Sequence, residues 1–167
     1  LKRSRVVCIP TAAYAEDGHE NWLPAEMAPV QSRAKEFVTL DIKGKTHEEV
    51  KVVTDTADII YVTGGNTYHL LEQARACDLK ACVEACFARG GMYLGSSAGA
   101  ILTCPRIDFI GEMDKNGTNL NDFSGFGFFD DLLIPHLDHP HFGPLIAGMM
   151  ADLQRGNERV FALKDDQ

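Results

Sequence analysis

A serine stands between two glycines in the stretch Gly95-Ser96-Ser97-Ala98-Gly99, after the apolar run 92–94 and before a run of small residues. This G-x-S-x-G pattern is typical of a nucleophile elbow, a strand-to-helix turn that exposes a serine hydroxyl at the top of a sheet. Because the turn is tight, the positions two before and two after the serine need almost no side chain. The first amides of the following helix can bind a developing oxyanion. A structural serine in a glycine-rich turn would fit the same five residues.

Composition limits the function classes. The 167 residues fit a single domain, 1–167, with 45% hydrophobic and 24% charged residues. The net charge of −8 argues against a nucleic-acid partner, which normally requires a basic face. No apolar run approaches the ~20 residues that cross a bilayer, so we expect no membrane partner.

The five cysteines form no tight framework, and their odd number indicates reduced thiols in a cytoplasmic protein. Cys82 and Cys86 are four residues apart on a predicted helix and could ligate a metal with help from elsewhere. We favour the simpler interpretation, that they are small buried hydrophobes.

Short apolar runs alternate with longer helical patterns along the chain. Strands are predicted at 5–9, 38–40, 58–62, 92–95, 132–134 and 159–163. Helices are predicted at 24–37, 47–53, 67–76, 79–89, 98–103 and 144–154, and Pro29 is expected to delay the regular part of the first one. This order predicts an α/β fold, a mostly parallel sheet with helices on both faces. Ligands bind at the carboxyl ends of such strands, and the segment 111–129 is predicted to be a long loop near that site.

A serine nucleophile needs a base, most often histidine. His136 is the best candidate because it directly follows the predicted strand 132–134. His139 and His141 stand close behind it, and the three could ligate zinc. Neither an H-E-x-x-H helix nor a C-x-x-C pair supports such a site, so we predict no metal and no cofactor.

The imidazole in turn needs an acid that orients it. Asp165 and Asp166 follow the last predicted strand, which brings them to the same sheet edge as His136. Asp138 and Glu112 are alternatives.

The turn Gly64-Gly65-Asn66-Thr67 follows another predicted strand and faces the elbow. It could donate one amide to the oxyanion, with Ala98 donating the other. It could equally bind phosphate, as in a non-catalytic flavodoxin-like module. Contacts with the substrate are predicted for Asn66 in this turn and for Glu112 in the long loop.

Several motifs together resemble the dipeptidase E (aspartyl dipeptidase) family of serine peptidases, with cyanophycinase as a more distant relative. They are Cys8-Ile9-Pro10-Thr11-Ala12-Ala13, Ile60-Tyr61-Val62-Thr63-Gly64-Gly65-Asn66-Thr67, Gly95-Ser96-Ser97-Ala98-Gly99-Ala100, Cys104-Pro105 and Ile134-Pro135-His136. The resemblance implies a fold like that of class I glutamine amidotransferases, with serine replacing their cysteine. It also implies a cytoplasmic enzyme that acts on short peptides through Ser97, His136 and Asp165, with oxyanion donors at Gly65 and Ala98.

The sequence departs from the family pattern in three places. The family usually has a bulky aromatic residue where Ser96 stands, and Phe142-Gly143-Pro144-Leu145 replaces the Thr-Arg-Glu helix start of the aspartate-specific enzymes. Selectivity for N-terminal aspartate is therefore left open, with a cyanophycinase-like β-aspartyl peptidase as the alternative. Family members also have further strands before Arg5 and after Gln167, so we expect the chain to be incomplete at one or both ends. The sequence also leaves open whether the protein forms a homodimer.

Overall fold

The computed structural model describes residues 3–140 and 142–165, except for the side chain of Glu112. Six strands are present in these ranges: β1 (Arg5–Ile9), β2 (Glu36–Thr39), β3 (Ile59–Val62), β4 (Met92–Gly95), β5 (Leu132–Ile134) and β6 (Val160–Ala162). The helices are α1 (Leu23–Gln31), α2 (His47–Thr54), α3 (Thr67–Ala76), α4 (Leu79–Ala88), α5 (Ala98–Ile101) and α6 (Gly143–Arg155).

Four of the strands form one parallel sheet in the order β2-β1-β3-β4. Its register pairs Ile9 with Val62 and Val62 with Gly95, so β1, β3 and β4 end at the same edge. β5 and β6 form a separate parallel pair. The predicted mostly parallel α/β architecture is confirmed, although its strands are divided between two sheets.

Alternate residues of the central strands enter two different clusters, because successive side chains of a strand point to opposite faces. Val6 and Cys8 of β1 pack with Met27 of α1. On the opposite face, Val7 and Ile9 belong to the cluster that contains buried residues of α2, α3 and α4. Helices therefore cover both faces of the sheet, as the alternating pattern predicts.

The helix predicted at 24–37 begins within one residue of the predicted start, but its predicted end and the expected delay at Pro29 are wrong. α1 begins at Leu23, before Pro29, because the other proline, Pro24, occupies the first turn, where its missing N–H costs nothing. The helix ends at Gln31, and the chain reaches β2 at Glu36. The apolar spacing was misleading because residues of α1 and β2 both face the same cluster, Phe37 from the strand and Met27 from the helix.

Two other elements differ from prediction in extent. The helix predicted at 98–103 is regular only over α5, Ala98–Ile101. The segment predicted as a loop at 111–129 is irregular for most of its length, but its start belongs to a 3₁₀ helix, Asp108–Met113, which is interrupted at Gly111.

The five cysteines are all buried and free, as their apolar interpretation predicts. Among the described residues, no helix is long and apolar enough to cross a membrane.

Candidate active site

The elbow is held by close backbone contacts on both sides of Ser97. Ser97 itself has φ 46° and ψ −110°, which is unusual for a residue with a side chain. A methyl group on Gly99 would lie 2.3 Å from the carbonyl oxygen of Val62, and one on Gly95 would lie 2.6 Å from the carbonyl carbon of Gly99. The two glycines of the motif are therefore required by the packing of α5 against β3 and β4.

Three of the predicted site residues are brought together in a chain of hydrogen bonds. Ser97 Oγ lies 2.9 Å from His136 Nε2, and His136 Nδ1 lies 2.6 Å from Asp165 Oδ1. The carboxylate can only accept, so it fixes the proton on Nδ1 and leaves Nε2 to accept from the serine hydroxyl. The three residues follow the ends of β4, β5 and β6. In the sequence the serine and the histidine are 39 positions apart, and the histidine and the acid are 29 positions apart.

Pairing between β5 and β6 places the histidine and the acid. Leu163 N donates to Ile134 O at 2.8 Å, and Leu137 N donates to Leu163 O at 2.9 Å. His136 lies between these bonds with φ 68°. The backbone of the two chain segments thus aligns the imidazole with Asp165 before any substrate is present.

The alternative acids take other positions. Asp138 Oδ1 accepts from the Asp165 amide at 3.4 Å, so it supports the acid rather than contacting the imidazole. Asp166 and the side chain of Glu112 lie outside the described part of the chain.

The predicted oxyanion donors are the backbone amides of Gly65, which lines the same cleft as Ser97, and of Ala98, which follows the nucleophile in the chain. Gly65 has φ 126°, and a methyl group there would lie 2.2 Å from the backbone of Ala12, so only glycine fits. Within the described part of the chain, neither the Gly65 amide nor the Ala98 amide donates a hydrogen bond. Both amides are therefore available to a ligand.

Asn66 has a visible structural function. Its Oδ1 caps α3 by accepting from the amide of His69 at 2.9 Å, and its Nδ2 donates to Lys115 O at 3.0 Å. The amide of Thr67 donates to Asp114 Oδ2 at 2.7 Å. These bonds fasten the long loop to the start of α3. Substrate contacts from Asn66 and Glu112 stay predictions.

Ser97 opens into a cleft of about 690 Å³ that also exposes Gly64, Gly65 and the loop residues 113–115, as expected for a loop near the site. Burial raises the pKa of Asp114 in its wall, an effect that the hydrogen bond from the Thr67 amide and the nearby His136 partly offset. The cleft is acidic: it contains the carboxyl groups of Glu16, Asp17, Glu26, Asp114 and Asp165, against Lys115.

Glu26 is a cleft residue that the sequence did not reveal. It lies in the first turn of α1, and its Oε1 accepts from the Gly64 amide at 3.0 Å and the Tyr61 hydroxyl at 3.3 Å. No motif contains it, and the helix was expected to become regular only at Pro29. Tertiary packing alone brings α1 to the turn after β3.

Across the described ranges, no group of three or more histidine, cysteine or acidic side chains is arranged to hold a metal ion. His141 lies outside these ranges, so the alternative cluster of His136, His139 and His141 is not tested.

The family model described as peptidase family S51 matches residues 2–167. The chain belongs to this family. Peptidase E proteins are among its relatives: one from Salmonella paratyphi A is 41% identical over 88 residues, which are 53% of this chain and 35% of that protein. The chain is therefore a serine-type peptidase of the dipeptidase E kind, which favours the hydrolase over the non-catalytic module.

Relatives that align over the whole chain are found in Listeria. An uncharacterised peptidase of Listeria monocytogenes is 27% identical over 169 residues, covering 100% of this S51 chain and 82% of its own length. A second, from Listeria innocua, is 29% identical over 176 residues, covering 100% and 84%.

Solved structures show the same fold. The crystal structure of a Listeria monocytogenes protein described as a candidate peptidase E superposes with a TM-score of 0.86 at 26% identity, covering 97% of this chain and 79% of that one. A peptidase from an acI-B1 actinobacterium superposes with a TM-score of 0.67 at 22% identity, covering 89% and 61%.

Proposed function

We propose that this S51 peptidase hydrolyses short peptides through an acyl-enzyme, with Ser97 as nucleophile, His136 as base and acid, and Asp165 as the orienting acid. The observation that carries the proposal is the pair of hydrogen bonds from Ser97 to His136 at 2.9 Å and from His136 to Asp165 at 2.6 Å. This is the arrangement of a Ser-His-Asp triad, which is recognised by geometry and not by sequence order.

In the first step Ser97 Oγ bonds to the carbonyl carbon of the scissile peptide while its proton passes to His136 Nε2. The negative oxygen of the tetrahedral intermediate accepts from the amides of Gly65 and Ala98, which have no other acceptor in the described chain. His136 then gives the proton to the leaving nitrogen, and the carbon–nitrogen bond breaks. The acyl group stays on Ser97.

In the second step water attacks the ester. His136 takes a proton from the water, and the ester carbon–oxygen bond breaks with return of a proton to Ser97. Asp165 accepts from Nδ1 throughout and stabilises the imidazolium that forms in each step. The buried, free cysteines favour a cytoplasmic location for this reaction. Assembly of the protein into a homodimer is also part of the hypothesis.

A fluorophosphonate probe tests the nucleophile directly. We expect the wild type and Ser96→Ala to be labelled and Ser97→Ala to be unlabelled. Ser96 is a matched control, because it is the neighbouring serine and also lines the cleft. Turnover of dipeptides by Ser97→Ala should fall on the order of 10⁶-fold, as in a triad where this loss was measured. A Ser97→Ala enzyme that kept a tenth of wild-type turnover would contradict the assignment.

Substrate profiling separates the remaining alternatives. Dipeptides with a normal α-linkage should be cleaved, while a cyanophycinase-like enzyme would prefer branched β-aspartyl peptides. Both substrate types should be assayed on the same preparation, with Ser97→Ala as the blank.

A further inference from the structure

The side chain of Glu26 has one oxygen engaged and one available. Oε1 accepts from the Gly64 amide and the Tyr61 hydroxyl, whereas in the described part of the chain Oε2 has no hydrogen-bond donor. The first oxygen therefore fixes the carboxylate in place. Glu26 lines the cleft that contains Ser97, so the second oxygen is available to a ligand bound there.

Glu26 and Ser97 border the same small space beside Gly64. A methyl group on Gly64 would lie 3.6 Å from Glu26 Oε2 and 3.7 Å from Ser97 Oγ. Both oxygens therefore lie close to Gly64 in the wall of the cleft, near enough for one substrate to contact the nucleophile and the carboxylate together. Any positive group that Glu26 binds must then lie within a few bonds of the carbonyl that Ser97 attacks.

The charge of Glu26 acts on its surroundings. Burial is the main cause that raises the pKa of the Cys8 thiol to about 12, and the negative charge of Glu26 is the second cause. The same charge contributes to the raised pKa of Tyr61. Four further carboxyl groups line the cleft, and among the described lining residues Lys115 is the only lysine or arginine. Such a cleft disfavours an aspartate side chain in the substrate and favours an ammonium group.

The first residue of a peptide carries an ammonium group at the required distance, since its α-nitrogen is two bonds from its own carbonyl carbon. Building on the function proposed above, we propose that Glu26 binds the protonated α-amino group of the substrate. The preferred substrates are then unblocked peptides with a neutral or basic first residue, rather than peptides that begin with aspartate.

Four dipeptides test this in the wild type and in Glu26→Gln: Ala-Leu, Asp-Leu, N-acetyl-Ala-Leu and N-acetyl-Lys-Leu. Glutamine keeps an oxygen for the Gly64 amide and removes only the charge. We expect the wild type to cleave Ala-Leu with a higher kcat/KM than Asp-Leu or N-acetyl-Ala-Leu. Glu26→Gln should lower kcat/KM for Ala-Leu roughly ten- to a hundredfold, the effect of losing a charge-assisted hydrogen bond, and mainly through KM. Its effect on N-acetyl-Ala-Leu should be small.

Tyr61→Phe is the matched structural control. It removes a donor to Oε1 but leaves the charge of Glu26, so it should affect free and acetylated peptides equally. Labelling of Glu26→Gln and Tyr61→Phe by the fluorophosphonate probe would show that Ser97 is still reactive in both variants. If the wild type itself were not labelled, the proposed function would be rejected, and not the assignment of Glu26.

Three results would overturn the assignment of Glu26. One is a preference of the wild type for Asp-Leu over Ala-Leu. The second is an equal loss for free and acetylated Ala-Leu in Glu26→Gln. The third is a loss for N-acetyl-Lys-Leu as large as that for Ala-Leu, because Glu26 would then bind a side-chain ammonium and not the α-amino group.

Discussion

Ser97 and His136, whose side chains meet at 2.9 Å, both have a positive φ, 46° and 68°. Such conformations cost on the order of 1–3 kcal/mol each for residues with side chains and persist where the surrounding structure determines them. Here the close packing of Gly99 on Val62 holds the elbow, and pairing of β5 with β6 holds the histidine. The fold therefore uses part of its stability to place the two side chains before substrate arrives.

The first prediction concerns the acid. Asp165→Asn should lower kcat by several orders of magnitude, about 10⁴-fold in a well-studied triad, because asparagine no longer fixes the imidazole tautomer. The thermal midpoint should change little, since the Asp165 side chain is 47% exposed and exposed ion pairs contribute little to stability. Steady-state kinetics and thermal unfolding of the same preparation measure both.

Asp138→Asn is the matched control, since the side chain of Asp138 accepts from the Asp165 amide, at 3.4 Å. Its kcat should stay within a few-fold of the wild type. A large loss in Asp138→Asn with none in Asp165→Asn would move the orienting function to Asp138. Loss in Asp166→Asn alone would shift the assignment by one residue along the chain.

The second prediction concerns two helical glycines with opposite surroundings. Gly99→Ala should lower the free energy of unfolding by roughly 1–3 kcal/mol, because the new methyl group would lie 2.3 Å from Val62 O. Gly148→Ala in α6 places a methyl group where, apart from the helix's own backbone, no atom of the described chain lies within 4 Å, and it should raise the same free energy by about 1 kcal/mol. Urea titrations measure both changes, and effects of equal sign would contradict the packing at the elbow.

Much of the fold and of the catalytic arrangement could be predicted from the sequence, because local patterns carry it. The glycines around Ser97 mark the elbow, and the continuous apolar run at 59–62 marks a strand buried on both faces. His136 and Asp165 follow directly from the ends of predicted strands. Parallel strands end at the same edge, which brings His136 to Asp165 across β5 and β6; the approach of this pair to Ser97, at the end of a different sheet, is a matter of tertiary packing.

What could not be predicted depends on tertiary packing. Glu26 reaches the site only because α1 packs across the sheet, and its carboxylate then bonds the Gly64 amide. The boundary between α1 and β2 was missed because Met27 and Phe37 face one cluster from two different elements. Helical spacing cannot distinguish that arrangement from a single helix.

The third prediction uses the buried carboxyl group of Asp114. Burial raises its pKa above the unfolded value, so its contribution to stability is fully present below the unfolded pKa and is lost as pH rises through the folded pKa. Asp114→Asn keeps an acceptor for the Thr67 amide but cannot ionise. The variant should therefore gain stability relative to the wild type as pH rises from the acidic range towards neutrality.

Glu49→Gln should show the opposite trend. Glu49 forms a capping box with Thr46 at the start of α2, and the backbone and side-chain hydrogen bonds from Thr46 lower its pKa. Its contribution is present above the unfolded pKa and is lost as pH falls through the folded pKa. Urea unfolding over the same pH series gives the difference in free energy of unfolding between each variant and the wild type. If both differences changed with pH in the same direction, the environment described for one of these carboxyl groups would be wrong.

The fourth prediction is that turnover needs no metal, because the proposed mechanism uses only the serine, the histidine, the acid and backbone amides. Prolonged treatment with a strong zinc chelator should leave kcat unchanged. Activity that is lost on chelation and restored by zinc would instead assign the cluster at His136, His139 and His141 to a metal site.

The last prediction concerns the thiols. All five cysteines are buried, and burial raises the pKa of each; for Cys77 the value is about 11 and for Cys8, with the added charge of Glu26, about 12. Only a thiolate that a reagent can reach reacts quickly. The native protein at pH 8 should therefore release almost no chromophore from an aromatic disulfide reagent within minutes, and all five thiols should react once denaturant is added.

The slow native reaction should follow the opening of the structure, so Gly99→Ala should accelerate it and Gly148→Ala should not. A thiol that reacts within minutes in the folded wild type would show that one of these side chains is open to solvent.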